Sequence, residues 1–248
     1  MSSPRPLRLH AALCPFLIAL SLAACRPVSS GPSDGEPDDP DPPVAHPASA
    51  AHPTVIDEVR RERALVKTTR YQHRTQIDEA RGDFATDCSG FVTYVVRHVS
   101  PGAVDAVPRA KKRPRAAELA RHFRSLADGA TGPWRAVRDA RNIAAGDVIA
   151  WVKAPESTSP NTGHTVIALS QPRVVTTRAD GTIELAIRVT DSTESPHAND
   201  TRAAGETGVG EGDLGLVVNA QGAPIAYSWR AGSKRTVETE FGVGRVFE

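Results

Sequence analysis

The chain has 248 residues and a nearly balanced charge, with 30 Lys and Arg residues against 29 Asp and Glu residues. This length allows one or two domains, and the lack of a basic excess argues against a protein that binds nucleic acid. Individual segments therefore indicate partners better than the overall charge does.

The first 24 residues have the pattern of a bacterial export signal. Arg5 and Arg8 precede an apolar run of 14 residues, 11–24, which is too short to span a bilayer. The run leads into LAAC at residues 22–25, which resembles a lipobox. We therefore expect removal of residues 1–24 and attachment of a diacylglycerol group to the Cys25 sulfur. The alternative is an ordinary secretory signal that is cleaved after Ala24.

Residues 25–53 predict a lipidated N-terminus followed by a disordered, proline-rich tether. The stretch 26–53 is dense in Pro, Ser, Asp and Gly, and it contains almost no large apolar side chains. It cannot bury enough surface to offset its ordering entropy, and its prolines keep it extended. We therefore expect it to hold one folded domain, residues 54–248, away from a membrane.

The first part of this domain predicts helices. Apolar residues recur at helical spacing in residues 55–67 and again in residues 116–126. Residues 88–99 place four apolar side chains on one helical face, and Asp87 stands at the N-cap position. A polar stretch, residues 68–84, separates the first two of these helices.

Beyond Trp134 the apolar period shortens toward two, which is typical of strands. Strands are predicted at residues 148–152, 164–169, 183–189, 214–218 and 224–229, with an edge strand at 245–248. Helices followed by strands, without alternating crossovers, predict an α+β fold with N-terminal helices packed on a small antiparallel sheet or half-barrel. Gly208, Gly210 and Gly212 are interpreted as a flexible loop, because their spacing matches no phosphate-binding motif.

A basic run lies before the helix predicted at residues 116–126. Its members are Arg109, Lys111, Lys112, Arg113 and Arg115. Such a run could contact an anionic lipid or polymer, but a solvated loop is the favoured interpretation. The sequence therefore assigns no partner to it.

Cys88 is the main candidate for chemistry. Of the three cysteines, Cys14 belongs to the signal peptide and Cys25 is the expected lipid site, so Cys88 has no intramolecular disulfide partner. At the start of a helix, unpaired backbone amides and the helix dipole stabilise a thiolate, which is the nucleophilic form of cysteine. The alternative is a buried cysteine that acts as a small apolar residue.

A cysteine nucleophile needs an imidazole base and a group that orients it. His164 opens one predicted strand and Asp191 follows another, and a hairpin with a long loop places them opposite each other. A tighter hairpin around residues 180–181 places His164 opposite His197 instead, but Pro172 would interrupt that longer ladder. The first register is favoured. The alternatives are a capped surface histidine for His164 and a turn residue for Asp191.

Three short motifs resemble those of one family. They are DCSGFV at residues 87–92, GDVIAW at residues 146–151 and GHTV at residues 163–166. They occur in the order found in the NlpC-type cell-wall cysteine peptidases, a papain-like superfamily. The first motif is quite specific, whereas the other two are informative as a set. The resemblance covers about residues 71–193.

The resemblance implies a role for each candidate site residue. Cys88 is the nucleophile, His164 is the base, and a third polar residue, here Asp191, orients the imidazole. Tyr71 matches a tyrosine that lies near the oxyanion site, and His197 is an accessory candidate. The family requires no cofactor, and the histidines of this chain show no short spacing typical of metal ligands.

These observations predict a hydrolase of the bacterial cell envelope, lipid-anchored to a membrane with its domain on the exported side. It would cleave amide bonds in peptidoglycan peptides through an acyl-enzyme. The alternatives are an acyltransferase that uses the same intermediate and a non-catalytic envelope-binding module on the same fold. The expected partners are an envelope peptide and, through Cys25, a membrane, but not nucleic acid.

Replacing Cys25 by serine should release the protein from membranes, because serine offers no sulfur for the thioether bond to the lipid. The measurement is the partition of the exported protein between membrane and soluble fractions, together with incorporation of labelled palmitate. A Cys25→Ser variant that stays with the membrane and still takes up the label would show that the anchor lies elsewhere.

Overall fold

The computed structural model describes residues 54–247. Within them the fold is of the predicted α+β class, with few helices and mainly antiparallel sheets. The predicted signal peptide, the lipid site Cys25 and the tether of residues 25–53 lie outside the described residues. No helix within residues 54–247 has both the length and the apolar character needed to cross a membrane.

The described residues contain four α-helices. They are α1 (Val55–Leu65), α2 (Cys88–Val99), α3 (Pro101–Asp105) and α4 (Ala116–Ser125). The three predicted helices are confirmed, and α2 has the predicted bounds. The periodicity does not reveal α3, because five residues are too few for a helical period to be recognised.

The polar stretch after α1 forms a small sheet of its own. Its strands are β1 (Thr68–Tyr71), β2 (Gln76–Asp78) and β3 (Asp83–Thr86), in the order β1-β3-β2. β1 runs parallel to β3, with Tyr71 paired to Thr86. Because β3 leads directly into Asp87 and α2, this pairing brings Tyr71 close to the start of α2.

The remaining strands form one nine-stranded sheet, which is larger than the small sheet predicted. Its order is β11-β10-β9-β8-β6-β5-β12-β4, and β7 pairs with β8 outside this path. The strands are β4 (Trp134–Ala136), β5 (Val148–Val152), β6 (Gly163–Ala168), β7 (Arg173–Thr177), β8 (Ile183–Thr193), β9 (Gly208–Val218), β10 (Pro224–Ser228), β11 (Val237–Glu238) and β12 (Phe241–Val246).

The C-terminal strand is not an edge strand, contrary to the prediction. β12 lies between β5 and β4 and pairs with both. Cβ atoms at Gly242 and Gly244 would collide with Ala120 and Phe123 of α4. Glycine therefore lets α4 approach this strand closely, but it also removes the apolar side chains by which a buried strand is recognised in a sequence.

The sheet separates two apolar cores. Successive residues of β5 point to opposite faces: Val148 and Ala150 join the core beneath the helices, whereas Ile149 and Trp151 join the second core. The second core lies on the other face of β5, β6, β8 and β9 and includes Ala140 of a short 3-10 helix. Both faces of these central strands are therefore buried.

The pairing of β6 with β8 differs from both registers considered for the sequence. The strands pair at Ile167–Thr190 and Ala168–Val189, and extending this register places His164 two residues away from a position opposite Asp191. Side chains alternate with a period of two, so the shift keeps His164 and Asp191 on the same face of the sheet. The segment expected to be a loop contains β7, which forms a hairpin with the first part of β8.

The three glycines interpreted as a flexible loop belong to β9, so that interpretation is wrong. β9 pairs with β8 along eleven residue pairs. A Cβ atom at Gly210 would collide with the side chain of Arg202, and one at Gly212 would collide with His197. These glycines therefore provide room for two buried side chains that lie against the strand.

Gly212→Ala should lower the free energy of unfolding by about 1–3 kcal/mol, because the added methyl group overpacks the contact with His197. In a domain of this size the melting temperature should fall by about 2–4 °C for each kcal/mol. Gly132→Ala is the matched control, since nothing lies within 4 Å of its Cβ position. Equal melting temperatures for the two variants would contradict the packing role of Gly212.

Candidate active site

Cys88 is the first residue of α2, and only 6% of its surface is exposed. The carboxylate of Asp87 caps the helix by accepting a hydrogen bond from the Gly90 backbone N–H at 2.7 Å. The backbone N–H groups of Cys88 and Ser89 lie in the first turn, where they have no acceptor within the helix. The Cys88 sulfur therefore lies in the positive field of a helix N-terminus.

His164 is the base candidate and lies near the beginning of β6. Its Nε2 lies 2.6 Å from Asp191 Oδ2, which leaves Nδ1 for another partner. Burial alone would lower the pKa of His164, but the negative charge of Cys88 and the hydrogen bonds to Asp191 and Cys88 raise it to about 10. Cys88 and Asp191 therefore both influence the protonation of this imidazole, and Asp191 is bonded to it directly.

Asp191 joins the charged groups of the site. Its carboxylate is fully buried and accepts hydrogen bonds from His164 at 2.6 Å, from His197 at 3.0 Å and from Arg202 at 3.1 Å. Burial would raise the pKa of Asp191, but the positive charge of His197 and the hydrogen bonds from both histidines hold it well below the usual range. Asp191 is therefore ionised.

His197 is buried, and both of its ring nitrogens face acceptors. Nδ1 lies 2.8 Å from the Trp229 carbonyl oxygen, and Nε2 lies 3.0 Å from Asp191 Oδ2. Carbonyl and carboxylate oxygens only accept hydrogen bonds, so the ring is held between two acceptors. The indole of Trp229 stacks on this ring with the centroids 4.3 Å apart.

Arg202 completes the buried group around Asp191. Its side chain is 2% exposed, and it also donates to both carboxylate oxygens of Asp200 at 2.8 Å and to the Gly208 carbonyl at 2.7 Å. Two carboxylates, Asp191 and Asp200, thus face the guanidinium of Arg202, and His197 lies at hydrogen-bond distance from Asp191. This mutual compensation makes the burial of these charges tolerable.

The structure brings together Cys88, His164 and Asp191, the three residues predicted from the sequence. The two candidates for the third residue are both part of the arrangement. Asp191 contacts His164 directly, whereas His197 contacts Asp191. His197 therefore acts on the imidazole of His164 through Asp191.

Sequence reasoning missed three residues of this group, Arg202, Asp200 and Trp229. Arg202 and Asp200 lie in the segment between β8 and β9, and Trp229 directly follows β10. A signal for Arg202 was present in the glycines of β9, since a glycine inside a strand often marks the close approach of another group. Nothing in the sequence singled out Trp229.

Tyr71 lies where two cavities meet. A cavity of about 570 Å³ includes Cys88, one of about 560 Å³ includes His164, and Tyr71, Asn161 and Gly163 line both. Burial and the negative charge of Cys88 raise the pKa of Tyr71 above its usual range, so its hydroxyl stays protonated and can donate a hydrogen bond. The two cavities share this wall, and together they form the cleft of the candidate site.

The histidine–aspartate group also has atoms close enough to hold a metal ion. His164, Asp191 and His197 offer donor atoms within 4.8 Å of one another. Both Nε2 atoms, however, are directed at the same oxygen of Asp191 at hydrogen-bond distance. A metal ion could bind there only if both of these hydrogen bonds were lost.

A second set of possible metal ligands joins α1 to α2. It consists of Glu58, Glu62 and His98. The guanidinium of Arg61 lies 2.8 Å from Glu58 and 2.5 Å from Glu62. Arg61 therefore already supplies a cation to this cluster.

Comparisons with known proteins assign the chain to no family. No family model matches the sequence, and no curated protein or solved structure matches it significantly. The chemical class of the site therefore rests on the geometry of its own residues.

His197→Ala should lower the free energy of unfolding by about 1–3 kcal/mol, because it removes a hydrogen-bond partner of the buried Asp191 carboxylate. His122→Ala is the control, since His122 Nε2 has no hydrogen-bond partner within the described part of the chain. Chemical denaturation measures both variants, and equal losses would argue against a special role for His197.

Proposed function

We propose that the chain is a cysteine hydrolase that cleaves amide bonds through an acyl-enzyme. The observation that carries this proposal is the position of Cys88 at a helix N-terminus, close to His164, whose Nε2 is hydrogen-bonded to Asp191. A nucleophile, a base and an orienting carboxylate are the components of such a catalytic set.

His164 takes the proton of the Cys88 thiol, which gives the thiolate nucleophile and an imidazolium. The Cys88 thiolate attacks the substrate carbonyl carbon, so that a C–S bond and a tetrahedral oxyanion form. His164 gives its proton to the amide nitrogen as the C–N bond breaks, which releases the amine and leaves a thioester. Water then attacks the thioester while His164 takes its proton, and the acid product leaves as the thiolate is restored.

Three donors can stabilise the oxyanion. Two are the backbone N–H groups of Cys88 and Ser89 in the first turn of α2, and the third is the protonated hydroxyl of Tyr71 in the cleft. In enzymes of this type, removal of one such donor costs about 2.7–4 kcal/mol of transition-state stabilisation.

We further propose a papain-like, NlpC-type arrangement and a peptide of the bacterial cell wall as substrate. The support is the DCSGFV motif, which begins α2 with Cys88, and the GHTV motif, which lies on β6 with His164. The export signal and the lipobox at Cys25 favour the cell envelope as the location, and this is where such peptides occur.

Cys88→Ala and His164→Ala should each reduce hydrolysis of a cell-wall peptide by at least about 10⁴-fold. The double variant should lose little more activity, because the effects of substituting residues that act as one unit are strongly non-additive. Asp191→Asn should cost roughly 10- to 10⁴-fold. Release of the peptide products, followed by chromatography, measures all four variants.

His122→Ala is the control for folding and activity, because His122 lies outside both cavities. A second measurement is the rate at which iodoacetamide alkylates Cys88 at pH 6, compared with its rate for free cysteine. At this pH an ordinary thiol of pKa about 8.5 is only roughly 0.3% ionised, so it reacts slowly. Wild-type turnover by Cys88→Ala would rule out the hydrolase and leave the envelope-binding module as the alternative.

A further inference from the structure

The cavity that includes Cys88 is strongly basic. Lys111, Lys112, Arg113 and Arg115 line it, and Asp87 is the one carboxylate among the described residues of its lining. The Asp87 carboxylate lies 2.7 Å from Arg113, so these two residues together add little net charge. Lys111 and Arg115 supply positive charge to this side of the cleft.

Arg113 holds the basic loop in this position. Its guanidinium donates to the Asp87 carboxylate at 2.7 Å and to the Ser89 hydroxyl at 2.5 Å, which attaches the loop to the start of α2. Earlier in the loop, Arg109 donates to a carbonyl oxygen of α3 at 3.0 Å. The loop is thus anchored on both sides of Lys111, while Lys111 and Lys112 themselves are exposed, as expected for a solvated loop.

Arg115 keeps donor capacity despite a neighbouring carboxylate. Its Nη2 lies 3.4 Å from Glu118, whereas Glu118 accepts shorter hydrogen bonds from the backbone N–H groups of Arg115 and Ala110, at 2.8 and 3.0 Å. Arg115 Nε is buried without a hydrogen-bond partner in the described residues. The guanidinium is therefore only partly engaged by Glu118.

The cavity on the His164 side has a different character. Its charged residues include two cations, Lys153 and Arg235, and two carboxylates, Glu156 and Glu194. Aromatic rings form much of its wall: Tyr71, Trp151, Tyr227 and Trp229. The cleft is thus basic in the cavity that includes Cys88, and it is aromatic with balanced charge in the cavity that includes His164.

We propose that the basic cavity binds a carboxylate group of the substrate close to the scissile amide bond. This inference rests on the proposed hydrolase function and narrows its substrate to an acidic peptide held in one direction across the cleft. Lys and Arg bind carboxylates through charge-assisted hydrogen bonds. A cleft lined by one sign of charge also concentrates ligands of the opposite sign, and this effect weakens as salt is added.

Alkylation of Cys88 tests this cavity without knowledge of the natural substrate. Iodoacetate carries a carboxylate, iodoacetamide is its neutral analogue, and both form a C–S bond to Cys88 with loss of iodide. The ratio of the iodoacetate to the iodoacetamide rate constant cancels changes in the reactivity of the thiol itself. We expect this ratio to fall by at least about threefold in the double variant Lys111→Gln/Arg115→Gln and to fall with added salt in the unaltered protein.

Arg121→Gln is the matched control, because Arg121 is exposed on α4 and lines neither cavity; its ratio should equal that of the unaltered protein. An unchanged ratio in the double variant would overturn the carboxylate site and leave the hydrolase proposal standing. If iodoacetamide modifies the unaltered protein at pH 6 no faster than it modifies free cysteine, the hydrolase proposal fails, and the substrate inference fails with it.

Discussion

The ionised carboxylate of Asp191 lies in the interior, where an unpaired charge would cost several kcal/mol. Three donors compensate it: His164 from β6, and His197 and Arg202 from the segment between β8 and β9. Because all three donors are needed, this segment must lie over the sheet in one arrangement. The same arrangement fixes the imidazole of His164, so the stability of the segment and the geometry of the candidate site depend on one group.

Placing the large side chains of His197 and Arg202 beside Asp191 requires space, and β9 provides it. Gly210 and Gly212 lie where any side chain would collide with Arg202 or His197, yet both glycines remain paired with β8. The strand therefore keeps its hydrogen bonds while its surface accommodates the buried charges. A candidate site supported in this way lies on rigid elements, which is the arrangement that holds reactive groups to within fractions of an ångström.

At the other end of the site, one carboxylate connects the nucleophile with the charge of the cleft. Asp87 Oδ1 caps α2, whereas Asp87 Oδ2 accepts a hydrogen bond from Arg113 and so holds the loop that carries Lys111. The same residue thus sets the first turn around Cys88 and brings positive charge next to it. The bound guanidinium also reduces the repulsion that a free Asp87 carboxylate would exert on a nearby thiolate.

The sequence by itself determined the features that depend on neighbouring residues. The bounds of α2 and the cap at Asp87 follow from helical spacing, and they place Cys88 at the start of the helix. Only the tertiary structure decided the two-residue offset between His164 and Asp191 in the register of β6 and β8. This offset depends on the separate pairing of β7 with β8. The tertiary structure likewise decided that Arg202 neutralises Asp191, because compensation of a buried charge depends on which distant segments pack together, and no local pattern in the chain records that packing.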